Sequence, residues 1–388
     1  MNIFKEDINE AKERLKAWWD HELIDRPCVS YWVPKLREKI PDSDTILEFF
    51  DPFHLAEFWD DIDTAIHNYE AIAKIFYFGG ENIPRFFPNY GPGIIASVFG
   101  IIPKFQSRTV WFHRNTTVDE IVSLLENVEI NMNNPWYARL IKSTEIAAKR
   151  AGKNYCVAIT DIGGVLDVLS SFLGPTKLIL TMKRNPELID TCRAIIFDKL
   201  MKVLKELFRI IEHYSDGYNS WMNIWCHKRW YPIQCDFSAF LSPKWFRRFA
   251  LPDIIAQADQ LDYAIYHLDG PDALKHLDDL LEIPSINGIQ WVPGAGNELK
   301  CSDAWMPIYK KIQKAEKNLV IDFFELPEKL AHFYTELDPK GLFTTSIFMD
   351  YFRAKFYLPR FVGGESGEGN FRNFKKVHRM KLKEQKGQ

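Results

Sequence analysis

The chemistry this sequence can offer lies in polar side chains at the ends of apolar runs. Tyr263-Ala264-Ile265-Tyr266-His267-Leu268-Asp269-Gly270 is an apolar run of strand length that closes on a histidine, an acid and a glycine. Tyr155-Cys156-Val157-Ala158-Ile159-Thr160-Asp161 ends on an acid ahead of Gly163-Gly164, and Gln234-Cys235-Asp236-Phe237 carries a third acid. A histidine supported by carboxylates can give or take a proton near neutral pH. His267, Asp269, Asp161 and Asp236 are therefore the candidate catalytic residues. His267 and Asp269 can also hold a metal through nitrogen and oxygen donors; alternatively Asp269 orients or charges His267, or binds substrate directly. Asp161 and Asp236 each have a plainer role open to them, capping the turn or helix that follows. Cys226-His227 looks like a metal fragment, but adjacent residues on a strand face opposite sides.

The elements that must position these groups alternate along the chain. Ile8, Ala11, Leu15, Trp18 and Trp19 fall at helical spacing in a first amphipathic helix. Its Trp pair covers either the floor of the fold or a subunit contact, the second implying a homodimer. Ser43 to Phe76 reads as helical, and Thr116 and Thr117 look like the cap of a helix over Val118 to Asn127. Further helices are expected at 136–151, 166–173, 175–183, 186–214, 243–261, 271–281, 304–315 and 327–337. Strands are expected near residues 29, 84, 157, 220, 264, 288, 319 and 342, with helical sequence between nearly every pair. Such alternation predicts an α/β protein, one parallel (β/α)8 TIM barrel over residues 1–350 with an N-terminal helical extension. An open doubly wound sheet is the rival, but no glycine-rich nucleotide turn follows the first strand.

In a barrel the working residues come from the C-terminal ends of strands and the loops beyond them. Besides the four candidates above, that rule selects Trp32, Tyr90, Trp225, Gln290 and Trp291 as substrate-binding residues, and also Asp322 and Thr344. Core or rim packing is the alternative reading of Trp225 and Trp291. An acidic, Trp-rich mouth suits a methylated or cationic molecule, because aromatic faces attract quaternary ammonium groups. It equally suits a polyol whose hydroxyls pair with carboxylates.

Composition bounds the partners. The 388 residues hold 49 Lys and Arg against 52 Asp and Glu, so a net charge of −3 gives no reason to expect nucleic acid. Hydrophobic residues are 46% and aromatic residues 14%, enough for a sizeable core with rings to spare for a cavity or an interface. No run approaches the ~18 uncharged residues of a membrane span. The first residues are acidic where a leader would be basic, so a cytoplasmic location is expected. Six cysteines without CxxC spacing read as reduced thiols. Residues 351–388 form an atypical basic tail: Arg353 to Gln388 carries ten Lys or Arg against three Asp or Glu. It is read either as an ordinary charged tail or as an altered closure of the barrel.

The segment Asp236 to Phe246, followed by Tyr266-His267-Leu268-Asp269-Gly270, resembles the uroporphyrinogen decarboxylase family, which also contains zinc-dependent methyltransferases serving corrinoid proteins. Gly174-Pro175 to Pro186-Glu187-Leu188 is similar to the family's segment after the third strand, and the resemblance spans roughly residues 25 to 345. It implies a TIM barrel and either porphyrinogen decarboxylation or methyl transfer. The decarboxylases place an arginine-bearing motif after the first strand, where this chain reads Tyr31-Trp32-Val33-Pro34-Lys35-Leu36-Arg37. An acidic mouth also repels a substrate with many carboxylates, by about 1 kcal/mol or more per close pair. The methyltransferases bind zinc with His-x-Cys and a later Cys; here the pair is His267-x-Asp269, with Thr344 and Thr345 at the later place, so the soft zinc set is not kept.

The resulting expectation is a methyltransferase acting on a small methylated or cationic substrate, with a corrinoid protein as partner and no cofactor held by the chain itself. His267, held by Asp269, would act as general acid or base. A porphyrinogen carboxy-lyase, a carbohydrate-acting barrel and a non-catalytic binding barrel are the alternatives.

Overall fold

The computed structural model describes residues 4–35, 61–106, 109–322 and 329–347. The expected cap at Ser43 or Asp44 and the basic tail at 351–388 lie outside the described residues. Eleven strands are present among them: β1 (Cys28–Pro34), β2 (Phe76–Gly80), β3 (Arg85–Phe86), β4 (Pro103–Gln106), β5 (Thr109–Phe112), β6 (Cys156–Val157), β7 (Trp230–Gln234), β8 (Tyr263–Asp269), β9 (Gly288–Val292), β10 (Asn318–Ile321) and β11 (Leu342–Ile347). The chain divides into two compact units. One lies within Met1–Ile40, Ala73–Ile83 and Asn287–Gln388, the other within Pro41–Ile72 and Pro84–Ile286.

In the first unit β1 pairs in parallel with β11, β11 with β10, and β10 with β9, while β2 runs antiparallel to β1. The strands read as almost continuous apolar runs because both faces are covered, as parallel sheets require. The helix Ile8–Trp19 buries Ala11, Leu15, Trp18 and Trp19, the apolar stripe its spacing announced. Trp18 packs edge-on to Trp19 and against Phe343, ring centroids 4.8 Å and 5.5 Å away. The Trp pair therefore fills core.

A buried ion pair fixes the start of this sheet. Glu81, with no exposed surface, accepts from Arg26 Nη1 and Nη2 at 2.7 Å and 2.8 Å and from the Val29 N–H at 2.9 Å. Burial works against the Arg26 charge, and Glu81 more than restores it, holding the guanidinium above its ordinary range.

In the second unit β7 pairs in parallel with β8, β3 with β6, and a single bridge joins Ala158 to Asn219. β4 and β5 make an antiparallel pair. The long helices cover these ladders. Pro186–Tyr214 starts on Asn185, whose side chain accepts from the Leu188 N–H at 3.3 Å, and Pro135–Ala151 ends at Gly152, whose positive φ suits glycine.

The α/β class and the parallel pairing stand, but neither unit closes a ring of strands by itself. Two expectations are corrected. The strand anticipated over Tyr218 to Trp225 is reduced to isolated bridges, because Asn223 turns the chain at φ 55° and Tyr218 pairs back to Cys226. The strand delivering Asp236 is Trp230–Gln234 instead. The expected helix through Phe76 stops at Ile75, where β2 begins. No single helix among the described residues is long and apolar enough to cross a membrane.

Removing Glu81 strands a buried guanidinium. Glu81→Ala should lower the unfolding free energy by about 3–5 kcal/mol, whereas Asp25→Ala, at the exposed Arg14 pair, should cost about 0–1 kcal/mol. Equal urea midpoints for the two variants would refute this ranking.

Candidate functional site

The groups that converge all belong to the second unit. β8 is buried up to Tyr266, then alternates: Leu268 is buried while His267 and Asp269 are half-exposed. Strand alternation thus sends His267 and Asp269 out on one face. β7 lies alongside in register, Gln234 opposite His267. Beyond Gln234 the chain leaves the strand at Cys235 and makes a 3₁₀ turn over Asp236–Phe240. This brings Asp236 to the same end. One oxygen or nitrogen from each of Asp236, His267 and Asp269 lies within 4.8 Å of the others.

A fourth acid, Asp167, holds this loop in place. It sits in the first turn of the helix Val165–Leu173, and its carboxylate accepts from the Phe237 N–H at 2.7 Å and the Asp236 N–H at 3.2 Å. Gly164 permits the approach: a Cβ there would fall 2.3 Å from the Gln234 carbonyl oxygen and 2.5 Å from Asp167.

Asp161 is tied in from the neighbouring strand end. Its Oδ1 accepts from the Gly163 N–H at 2.9 Å and from Gln234 Nε2 at 3.4 Å. Asp161 therefore does cap the glycine turn, yet remains close enough to feel the charges of His267 and Asp167. Tyr231 braces this turn, its hydroxyl donating to the Thr160 carbonyl and accepting from the Ile162 N–H, both at 2.9 Å. Trp221 meets the His267 ring edge-on, centroids 5.0 Å apart.

Crowding raises the acids. Burial pushes Asp161 up to about 6, against the N–H of Gly163 and the nearby His267. Asp167 is raised by burial and then by the Asp236 charge. Asp236 opens to solvent at the mouth, but enclosing protein still pushes it up; His267 opposes this, while Asp269 and Asp161 add to it. The mouth thus carries negative charge in a setting that disfavours it, and a cation would relieve the strain.

No protein-family model matches the chain, and no curated protein does. A solved structure resembles it. The methyltransferase from Methanosarcina mazei aligns with a TM-score of 0.57 at 12% sequence identity, over 87% of this chain and 93% of its own. At that identity the likeness is one of fold.

The donor set decides which metal the site suits. Cys235, next to Asp236, is buried, and its thiol is pushed well up by burial and then by Asp167 and Asp236. A thiol held protonated is a poor zinc ligand. Asp236, His267 and Asp269 instead present oxygen and nitrogen, a set for a hard or borderline divalent ion.

Other candidates lie elsewhere. Tyr90 and Trp225 are 1% and 2% exposed, and Tyr90 packs edge-on to Trp136. In the first unit Gln290 and Trp291 are wholly buried, Trp32 is half-buried on β1, and Thr344 shares a hydrogen bond with Tyr334. Asp322 pairs with Lys300 at 2.8 Å. Sequence reasoning missed Asp167, Trp221 and Gln234. Asp167 could have been found as an acid in the first turn of a helix opened by two glycines; Trp221 carried no local signal.

An acid raised by burial binds its proton more tightly when folded, so its contribution to stability falls as pH climbs from about 4 to about 6. Asp161→Asn removes that titration. The stability of the wild type minus that of Asp161→Asn should decline over this range and then level off, as read from urea midpoints between pH 4 and 8. A difference independent of pH would show that Asp161 is not raised.

Proposed function

We propose that the protein is a methyltransferase, moving a methyl group from a small methylated, cationic substrate bound at the mouth formed by Asp161, Asp236, His267 and Asp269. The approach of Asp236, His267 and Asp269 to within 4.8 Å of one another carries this reading. It places one imidazole among carboxylates that favour a cation. The fold likeness to a methyltransferase supports the reaction class.

A methyl group that leaves nitrogen does so without its bonding pair, so the nitrogen must already be cationic to depart as a neutral amine. Carboxylates at close range favour that cationic form, and the partly enclosed setting strengthens them relative to water. His267 supplies the proton that a less substituted amine needs before it can leave; that proton stays on the departing neutral amine, and His267 is reprotonated from solvent. The Trp221 ring stands perpendicular to the imidazole at 5.0 Å, close enough for an indole to attract the methylated nitrogen. In this reading the acceptor is the reduced cobalt of a corrinoid carried on a partner protein.

The three donors Asp236, His267 and Asp269 would also hold a divalent ion, which would supply a Lewis acid at that place. Metal and substrate cation exclude one another by charge. Metal analysis of the purified protein separates them, together with demethylation of methylated amines using cob(I)alamin as acceptor. The expected result is turnover without bound metal, and a loss of about 10²–10⁴-fold in rate in His267→Ala. Unchanged turnover in that variant, or activity abolished by chelation of a stoichiometric metal, would refute the assignment.

A further inference from the structure

Among the described residues, the enclosed arginines Arg26 and Arg193 come with carboxylates, and Arg85 does not. Arg26 is paired with Glu81, and Arg193 has Asp253 across its Nε and Nη2 at 2.9 Å each, with Asp190 on Nη1. Arg85, on β3 in the second unit, has no such partner among the described residues. Its Nη2 donates to the Trp221 carbonyl at 3.1 Å, its guanidinium lies 5.1 Å from the Phe87 ring, and its buried Nε meets no acceptor. Burial holds the group down at about 10, with only Tyr69 acting against it. A guanidinium enclosed without a counter-charge is costly. Arg85 is nevertheless not sealed in: the residue as a whole keeps intermediate exposure.

Trp221 connects this cation to the acidic mouth. Its carbonyl takes the Arg85 hydrogen bond, and its ring meets His267 at 5.0 Å. One residue thus separates a positive group in need of an anion from a cluster of acids in need of a cation. A guanidinium without a carboxylate partner suits the planar fork of an oxyanion. Of the two common oxyanions, a carboxylate carries a single charge, whereas a phosphate dianion would be repelled more strongly by Asp161, Asp236 and Asp269.

We propose that Arg85 binds the carboxylate of the substrate, so that the substrate is a small zwitterion, an N-methylated amino acid whose nitrogen faces Asp236 and His267. This rests on the mouth being a cation site, as argued above. It names the substrate class and adds a binding residue anchored on the Trp221 carbonyl.

The test is binding with no methyl acceptor present, by calorimetry on the full chain. The probes are trimethylglycine, choline (the same quaternary nitrogen without a carboxylate), and inorganic phosphate. Wild type should bind trimethylglycine at least tenfold more tightly than choline. Arg85→Met should bring the two within twofold of each other, with choline binding unchanged, and Arg85→Lys should restore part of the preference. The melting temperature of Arg85→Met without ligand should not fall, because an uncompensated charge has been removed. Equal affinity of wild type for trimethylglycine and choline overturns the proposal, as does a preference that survives in Arg85→Met. Phosphate binding more tightly than trimethylglycine overturns the carboxylate assignment. If Arg85→Met does not fold, a structural role is indicated and the Arg85→Lys comparison decides. A carboxylate preference without methyl transfer refutes only the transferase reading; methyl transfer without the preference refutes only the role of Arg85.

Discussion

The candidate site depends on one carboxylate outside the converging trio of Asp236, His267 and Asp269. Asp167 accepts the backbone N–H groups of Asp236 and Phe237, and this fixes the loop that carries Asp236 toward His267 and Asp269. The contact exists only because Gly164 has no side chain to fill the space against Gln234 and Asp167. Holding one acid in place with another has an electrostatic consequence. Burial and the Asp236 charge raise Asp167, while burial and the charges of Asp269 and Asp161 raise Asp236, so the loop geometry that presents Asp236 also makes its charge expensive. A mouth assembled in this way stores a demand for positive charge. The fold meets the mechanical requirement with backbone hydrogen bonds and leaves the electrostatic one to a ligand.

The opposite demand lies at the Trp221 carbonyl. Among the described residues, Glu81 neutralises Arg26 and Asp253 neutralises Arg193. Arg85 receives a carbonyl and an aromatic ring instead. Groups of both signs lacking an internal counter-charge thus meet at one residue, Arg85 at the Trp221 carbonyl and His267 at its ring. Recognition of this kind requires both ends of a ligand to be right, so a molecule lacking one of them leaves a buried charge unsatisfied.

The aromatic surplus has a different meaning from the one its abundance suggested. Trp225, Trp291 and Tyr90 are almost wholly buried and serve packing, whereas Trp221, on an irregular stretch between bridges, meets the histidine. Strand-end position locates His267 and Asp269 on one face of their strand and Asp161 in the glycine turn, as strand alternation and the following glycines require. It was a poor guide for the tryptophans. A large ring near a strand end can turn inward as easily as outward, and the choice follows from which neighbours leave room.

The sequence by itself determined the alternation of apolar runs and amphipathic helices, the long helix Pro186–Tyr214 and its cap, and the acids and histidine that close Tyr155–Asp161 and Tyr263–Asp269. These are local matters of periodicity, capping and turn chemistry, which a window of neighbouring residues contains. The tertiary structure alone decided that Trp230–Gln234 and not Tyr218–Trp225 forms the strand, that Asp167 anchors Asp236 from 69 residues away, and that Arg85 is enclosed without a carboxylate. Each of these follows from which distant groups come within a few ångströms. Burial and Coulomb interactions depend on that proximity, and no local pattern encodes it.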